Sequence, residues 1–446
     1  MTGTSSPEDI STRQQKVAAL ARLEPKLALT TLAHHIDEVW LREAYRRTRK
    51  DGAAGVDGVT AAQYEADLEA NLAGLLERFK SGRYRAPAVR RVYIPKAGMP
   101  KKRRPIGIPT LEDKVLQRAV LMVLEPIYEQ DFLDCSYGFR PGRSAHQALA
   151  ALWKGLMDMG GGWVIDLDIQ SFFDDVDRKK LRRFLDQRVR DGVIRRAIGK
   201  WLNAGVMEEG VVSHPERGTP QGGVVSPLLS NLYLHEVLDV WFEQEVKPRL
   251  QGRAFAVRFA DDAVLSFARE EDARRVLEVL PKRFGKYGLT LHPEKTRLVD
   301  FRSPSRTGRG GSQRERSFEM LGFTHFWGRS RKGRWVVKRK TAQARFSHAL
   351  RRIGQWCRKH RHWRVADQHA ALSRKLRAHY AYYGITGNAP ALVRFRHEVD
   401  RRWRKWLNRR SWATRLSWEK FSRLREHYPL PPVRVVHCLY RGAASP

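Results

Sequence analysis

The alternation of apolar and polar residues predicts a strand, a tight turn and a second strand in the middle of the chain. Residues 254–258 and 263–267 are apolar and rich in β-forming residues, and they flank Phe259-Ala260-Asp261-Asp262. Residues 163–174 predict another strand, in which Asp166 and Asp168 alternate with apolar residues and therefore share a face. Both strands thus carry carboxylates within apolar surroundings.

In other segments the pattern of apolar and polar residues predicts helices and a further hairpin. Apolar residues at helical spacing predict helices over residues 14–49, 61–80 and 112–128. Ser226-Pro227 predicts the start of a buried helix, with Ser as cap and Pro at the first helical position. Residues 90–109 predict a basic β-hairpin. Beyond Gly333 the pattern becomes almost wholly helical, and Gly384 is a plausible helix stop.

The paired carboxylates indicate chemistry. Asp261 and Asp262 are adjacent, so they repel each other, and a hard divalent cation would relieve that repulsion. The alternative is that the pair only solvates a hairpin turn, because Asp is an ordinary turn residue. Asp166 and Asp168 favour the functional interpretation, since burying an unpaired carboxylate within an apolar strand is costly.

Charge is distributed unevenly along the 446 residues. The chain has a net charge of +36, of which residues 301–446 carry +29 and the first 300 residues only +7. This excess favours a polyanionic partner, with nucleic acid as the first candidate. A disordered basic arm is the alternative. Against it, 8 of the 13 Trp residues lie in the same basic third, and disordered arms are poor in aromatic residues.

The remaining composition narrows the class of protein. Cys135, Cys357 and Cys438 are isolated, so the sequence suggests neither a zinc site nor a disulfide framework. The first nine residues are polar, and no run approaches the roughly 18–20 apolar residues of a membrane span. We therefore expect a soluble, cytoplasmic protein without a membrane partner.

Taken in order, these segments resemble the reverse transcriptases of bacterial group II introns, also called intron maturases. The resemblance runs from about Leu32 to about Arg410, and its most specific parts are strand 164–177, loop 218–231 and the motif 259–262. Phe259 stands where the family usually has Tyr. The resemblance implies an α+β right-hand polymerase, whose fingers and antiparallel palm sheet precede an all-α, basic thumb or maturase region.

The same resemblance implies four domains. They are an N-terminal helical extension (1–50), the reverse transcriptase fingers and palm (51–325), the thumb or maturase domain (326–390) and a basic C-terminal DNA- or RNA-binding region (391–446). Many relatives carry a C-terminal HNH endonuclease with cysteine pairs. Nothing of that kind follows Arg410, so we expect the lineage without this endonuclease, with entry into DNA by another route.

The resemblance also assigns residues to roles. The catalytic carboxylates are Asp168, Asp261 and Asp262, and with the carbonyl of Ile169 they hold two Mg²⁺ ions. Asp168 is preferred to Asp166 because it lies five residues before the aromatic gate for the nucleotide sugar, Phe173. The implied nucleotide-binding residues are Lys96, Arg104, Phe173, Gln221, Ala260 and Lys295. The predicted nucleic-acid contacts are Arg401, Arg402, Arg404 and Lys405.

The predicted function is RNA-directed DNA polymerisation for a group II intron. The protein would copy an RNA template from a DNA primer or target using deoxynucleoside triphosphates. It would also bind the intron RNA and assist its splicing and mobility. One alternative is an RNA-binding splicing cofactor without significant polymerase activity, and another is a relative recruited to phage defence. The three catalytic carboxylates favour the enzyme.

Overall fold

The structure is a computed structural model. It describes residues 7–96, 99–208, 210–213, 217–218, 222–307, 316–410 and 416–438, without the side chains of residues 7–9, 95–96, 99–102 and 306–307. The chain forms two compact units. The first unit comprises residues 1–96, 101–148 and 164–298, and the second comprises residues 97–100, 149–163 and 299–446.

Helices and strands both contribute to the fold. The helices are α1 (Pro7–Leu23), α2 (Glu38–Arg47), α3 (Ala61–Ala66), α4 (Leu68–Lys80), α5 (Leu111–Asp131), α6 (Ala145–Met159), α7 (Phe172–Asp175), α8 (Arg178–Arg188), α9 (Gly192–Asn203), α10 (Ser226–Leu234), α11 (Glu270–Lys286), α12 (Pro304–Thr307), α13 (Gln343–Lys359), α14 (Val365–Tyr383), α15 (Ala389–Leu407) and α16 (Trp418–His427). The strands are β1 (Val89–Lys96), β2 (Met99–Ile108), β3 (Trp163–Leu167), β4 (Ile169–Gln170), β5 (Val206–Glu208), β6 (Val211–Ser213), β7 (Ala254–Phe259), β8 (Asp262–Phe267), β9 (Thr290–Leu291), β10 (Arg297–Asp300), β11 (Phe318–Met320), β12 (Phe323–Arg329) and β13 (Trp335–Thr341).

Two long helices expected from periodicity are interrupted. The stretch 14–49 divides into α1 and α2, because Leu29 between them pairs with the backbone at Val189 and so leaves the helical path. The stretch 61–80 breaks at Asp67 into α3 and α4. The side chain of Asn71 donates to the carbonyl of Tyr64 at 3.0 Å, which gives that helix-end oxygen a partner.

The predicted basic hairpin is confirmed. Strands β2 and β1 are neighbours in a sheet of order β2-β1-β5-β6, in which β1 runs parallel to β5 and β5 antiparallel to β6. The Gly-rich loop passes close to this sheet, because a Cβ added to Gly222 would lie 2.1 Å from the carbonyl oxygen of Gly107. Gly222 also has φ +122°, so both its space and its conformation favour glycine.

A central sheet carries the acidic segments. Its strand order is β10-β3-β8-β7, and β7 pairs antiparallel with β8 from Ala254↔Phe267 to Phe259↔Asp262. The short strands β4 and β9 pair antiparallel beside it. The predicted strand over residues 163–174 is therefore shorter than expected: it ends at Leu167, resumes at Ile169, and gives way to α7.

Two apolar helices form much of the core of the first unit. Helix α5 buries most of its length, and α10 continues through wide helical turns at His235–Asp239 and Trp241–Val246. The predicted cap at Ser226 is corrected by one residue. Ser226 is the first helical residue and Val225 precedes it, while Pro227 lies in the first turn as expected.

In the second unit, the part after residue 299 has strands first and long helices last. Strands β11, β12 and β13 form an antiparallel meander, so the expectation of helix directly after Gly333 was wrong for residues 335–341. The alternation of buried Val337 and Arg339 with more exposed neighbours explains this strand. Helices α13 to α16 then pack around Trp403, which is fully buried. Gly384 does end α14, as predicted.

These elements confirm the α+β class, with an antiparallel central sheet followed by a helical C-terminal region. Among the described residues, no helix is both long and apolar enough to cross a membrane.

Candidate active site

The Asp261-Asp262 pair lies at a two-residue hairpin turn. Phe259 pairs with Asp262, so Ala260 and Asp261 form the connection between β7 and β8. Ala260 has φ +56°, a conformation that two-residue turns usually assign to glycine. Asp261 is half-buried, whereas Asp262 is exposed. The turn therefore presents one carboxylate to solvent and holds the other closer to the protein.

A second loop packs directly against this turn. A Cβ added to Gly138 would lie 2.3 Å from the Ala260 nitrogen and 2.9 Å from the Phe259 carbonyl carbon. Both are backbone atoms, so they could not rotate out of the way. Asn231 of α10 fixes the same loop, because its side-chain amide donates to the Gly138 carbonyl at 2.6 Å. The position of the carboxylate turn is thus set by backbone contact.

Arg258 anchors the turn from inside. Its guanidinium group is 1 % exposed and donates to both carboxylate oxygens of Asp239, at 2.8 and 2.5 Å. It also donates to Asn231 Oδ1 at 3.0 Å, to the Ala260 carbonyl at 3.1 Å and to Ser136 Oγ at 2.8 Å. The Ala260 bond ties the buried ion pair to the residue that precedes Asp261.

The charges of Arg258 and Asp239 compensate each other inside the protein. Burial works against the charged form of Arg258, but the charge and hydrogen bonds of Asp239 outweigh it and raise the pKa of the guanidinium. Nearby His235 is buried, which lowers its pKa to about 4 and keeps the ring neutral at pH 7. Asp239 is therefore balanced by Arg258 rather than by the histidine.

Sequence reasoning missed this supporting set. Arg258, Asp239, Asn231, Ser136 and Gly138 received no role, although two of them carried a signal. Arg258 lies within an otherwise apolar strand, and Asp239 ends a run of buried helix. A charge within an apolar strand or a buried helix is costly unless it is paired. Each of these two residues therefore indicated that it has a buried partner. The pattern did not show that the two residues are each other's partner.

Asp168 lies at the end of β3, between that strand and β4. Its carbonyl accepts from the amide of His292 at 2.8 Å, and its carboxylate accepts from the Lys295 ammonium group at 3.0 Å. Two residues earlier, Asp166 lies 3.7 Å from Arg297. The two aspartates predicted to share a face therefore meet basic residues that are likewise two positions apart.

The two acidic segments adjoin neighbouring strands of the central sheet. Strands β3 and β8 are neighbours, Asp168 follows the last residue of β3, and Asp262 is the first residue of β8. Among the described residues, no three His, Cys, Asp or Glu side chains are grouped closely enough to enclose a metal ion. The donor chemistry nevertheless fits Mg²⁺, because carboxylates are the hard oxygen ligands it prefers. Ile169, whose carbonyl was the fourth predicted ligand, is a buried residue of β4.

The predicted nucleotide-binding residues differ in their exposure and contacts, and two of them are not fully described by the structure. Phe173 is half-buried in α7 and meets Phe172 edge to face, with ring centroids 5.3 Å apart. Arg104 is exposed on β2. Lys295 contacts Asp168, as described above. The side chain of Lys96 and the whole of Gln221 lie outside the described residues.

The predicted nucleic-acid contacts on α15 differ in how they are engaged. Arg402 binds Glu398 at 2.5 Å, and Arg404 donates to the Leu416 carbonyl and lies 4.0 Å from the centre of the Trp418 ring. Arg401 and Lys405 are exposed, and Arg401 has a longer, 3.2 Å contact with Glu398. Arg401 and Lys405 are thus the more available cations.

Comparison with known proteins identifies the class to which this fold belongs. Residues 94–325, just over half of the chain, match the family described as reverse transcriptase (RNA-dependent DNA polymerase). The chain belongs to this family.

Individual relatives agree with that family. The chain is 38 % identical over 331 residues to Protein YkfC of Escherichia coli, covering 65 % of this chain and 84 % of that protein. It is 34 % identical over 251 residues to the group II intron-encoded protein LtrA of Lactococcus lactis, covering 54 % of this chain and 41 % of LtrA. Nuclear intron maturase 2 of Arabidopsis thaliana is 30 % identical over 176 residues, covering 30 % of this chain and 24 % of that protein. The resemblance to group II intron reverse transcriptases and maturases is confirmed.

Proposed function

We propose that this protein is an RNA-directed DNA polymerase of a group II intron, which also binds the intron RNA and assists its splicing and mobility. The observation that carries the proposal is the Asp261-Asp262 turn. It is held by the buried Arg258–Asp239 pair, and its strand β8 is the neighbour of β3, which Asp168 follows in the chain. A turn that served only to solvate a hairpin would need no such buried frame.

In this proposal the chain supplies the ligands for two Mg²⁺ ions. When bound, Mg²⁺ would supply charge neutralisation for the oxygens of nucleotidyl transfer. Asp168, Asp261, Asp262 and the carbonyl of Ile169 would hold the ions. The rigid frame under Ala260 would keep the carboxylates in place, which matters because small misplacements of catalytic groups are costly.

The remaining site residues would handle the nucleotide. Lys96 and Arg104 would bind the triphosphate, Phe173 would exclude a ribose 2′-hydroxyl, and Gln221 and Ala260 would lie at the nascent base pair. Lys295 would protonate the departing pyrophosphate. Its ammonium group is 3.0 Å from Asp168, which supports a position at the reacting phosphates.

The domain organisation forms part of the proposal. We assign residues 51–325 to fingers and palm, 1–50 to an N-terminal extension, 326–390 to the thumb or maturase domain and 391–446 to a basic C-terminal region. Arg401, Arg402, Arg404 and Lys405 would contact nucleic acid. The net charge of +29 on residues 301–446 supports nucleic-acid binding by the C-terminal third.

The test is primer extension on an RNA template with Mg²⁺ and deoxynucleotides, comparing wild type with Asp261→Asn. We expect extension by the wild type alone, with equal RNA binding by both proteins, because the substitution removes one ligand and leaves the basic surface unchanged. Extension by Asp261→Asn at the wild-type rate would refute the metal assignment. Tight RNA binding without extension by either protein would instead favour the splicing cofactor, whose support is the similarity to an intron maturase.

A further inference from the structure

A short segment accounts for the positive charge of the first two-thirds of the chain. Residues 178–200, which contain α8 and most of α9, hold ten Lys or Arg and two Asp, a net charge of +8. The other 277 of the first 300 residues have a net charge of −1. The basic character of this part of the protein is therefore local.

This segment lines a cleft in the first unit. The cleft has a volume of about 810 Å³ and is bounded by α8, α9, residues 85–88, the residues just before β5, and β6. Among the described residues, the basic side chains of the lining are Arg85, Arg182, Arg195, Arg196 and Lys200, and the acidic one is Asp186. Of the proposed polymerase site residues that the structure describes, none belongs to the lining.

The charges in the cleft are incompletely neutralised. Arg195 binds Asp186 at 2.7 Å, and Lys200 donates to the carbonyls of Gly82 and Tyr84 at 2.7 and 2.5 Å. Arg85, Arg182 and Arg196 have no hydrogen bond or ion pair with any part of the chain that the structure describes. Three guanidinium groups therefore remain free to bind an anion.

The backbone makes room for these side chains. A Cβ on Gly199 would lie 2.8 Å from Arg182 Nη2, so the glycine lets that guanidinium lie against α9. A Cβ on Gly192 would likewise lie 3.3 Å from Arg196 Nη1. Burial and the charge of Arg182 lower the pKa of Arg178. This shift agrees with uncompensated positive charge in this region.

We propose that this cleft is a second nucleic-acid site, which binds the phosphate backbone of double-helical RNA. Arginine binds phosphate bidentately, and the cleft offers three such groups on a rigid frame. Among the lining residues that the structure describes, none is aromatic, so they offer no stacking surface of the kind by which proteins hold unpaired bases. Duplex RNA is instead recognised by its backbone and shape. The choice of RNA over DNA rests on the proposed function.

The test removes the three unpaired charges from the full-length protein. The variant is Arg85→Gln, Arg182→Gln, Arg196→Gln. Its matched control is Arg42→Gln, Arg49→Gln, Arg274→Gln, which removes the same charge from exposed arginines that already bind carboxylates. The probe is a blunt RNA duplex of about 16 base pairs. Affinity is measured by fluorescence anisotropy over a range of salt concentrations, and urea unfolding verifies that both variants fold.

For the cleft variant we expect a salt dependence shallower by about 0.9 for each phosphate that is no longer bound, hence by about 2–3 overall, and at least tenfold weaker binding at low salt. The control should keep the wild-type slope. Equal slopes for the two variants would overturn the proposal, as would an equal loss for single-stranded RNA or for duplex DNA of the same sequence. Because binding is measured without synthesis, an inactive polymerase with the expected slopes would refute the proposed enzyme and leave the cleft assignment intact.

Discussion

At the scale of single residues, the ion pair between Arg258 and Asp239 has two separable roles. It neutralises two charges that are each at most 2 % exposed, and through the Ala260 carbonyl it holds the turn that carries Asp261. Replacing one partner leaves the other charged and buried without compensation. Replacing both removes this electrostatic cost, and it also removes the hydrogen bond that anchors Ala260. Stability and catalysis should therefore respond differently to single and double substitution.

We expect Arg258→Met and Asp239→Leu to lower the free energy of unfolding by about 3–5 kcal/mol each. The double variant should cost much less than their sum, yet its DNA synthesis should remain at least roughly tenfold below wild type, because Ala260 no longer has its donor. Urea unfolding and primer extension measure the two effects. A stable double variant with wild-type synthesis would show that the pair does not position the turn.

Gly138 provides a second residue-scale prediction. Gly138→Ala would bring a Cβ to 2.3 Å from the Ala260 nitrogen, so the turn must move, and we expect primer extension to fall by about 10²-fold. Gly74→Ala is the matched control, since its exposed position in α4 leaves nothing within 4 Å of the new Cβ. The control should keep full activity and gain about 1 kcal/mol of stability. Equal activity in the two variants would contradict the contact.

At the scale of elements, Asp113 connects helices α5 and α9 with the segment before β1. It lies in the first turn of α5 and accepts hydrogen bonds from Trp201 of α9 at 2.8 Å, from Gln117 at 3.1 Å and from the Tyr84 hydroxyl. Gln117 in turn accepts from the Val224 amide at 2.7 Å. This chain of bonds connects a buried carboxyl group to the end of the Gly-rich loop before α10.

Burial raises the pKa of Asp113 from 3.8 to about 6. The folded protein therefore holds this proton up to a higher pH than the unfolded chain, so its contribution is complete below pH 3.8 and is lost as the pH rises through 6. We expect the stability of wild type relative to Asp113→Asn to fall by about 2 kcal/mol between about pH 4 and pH 7. Urea unfolding of both proteins measures it, and a pH-independent difference would contradict the shift.

Local pattern was sufficient where the determinants lie close together in sequence. The hairpin over residues 254–267 and its acidic turn were predicted because strand, turn and strand are contiguous. The partners of Arg258 were not, because Asp239, Asn231 and Ser136 are 19, 27 and 122 residues away. Strand β13 was missed for a related reason: its partner β12, not its basic composition, makes it a strand.

At the scale of the whole molecule, the residues proposed for catalysis and those proposed for nucleic-acid binding lie in regions of different net charge. Asp168, Asp261 and Asp262 belong to the first 300 residues, with net charge +7, and α15 to the last third, with net charge +29. Within α15, Arg401 and Lys405 are exposed, whereas Arg404 bonds the Leu416 carbonyl and packs on Trp418. Substitutions on one helix should therefore separate nucleic-acid binding from folding.

We expect Arg401→Ala with Lys405→Ala to reduce the salt slope of nucleic-acid binding by about 0.9 for each phosphate that these cations neutralise, while the unfolding free energy changes by less than about 0.5 kcal/mol. Arg404→Ala should lower stability more, since it removes a hydrogen bond and a cation–π interaction. Anisotropy titrations and urea unfolding make the comparison. An unchanged slope in the double variant would exclude this face of α15 as a binding surface.

The segment 149–163 belongs to the second unit although it precedes most of the central sheet in the chain. Its residue Trp153 donates to the carbonyl of Val337, 184 residues later. A ribosome adding about 5–20 residues per second would need on the order of ten seconds or more to produce that partner. During this interval Leu149, Leu152 and Leu156, all fully buried in the finished protein, await the strands that complete their unit. Newly made chains thus pass through a stage at which chaperone protection of α6 would matter most.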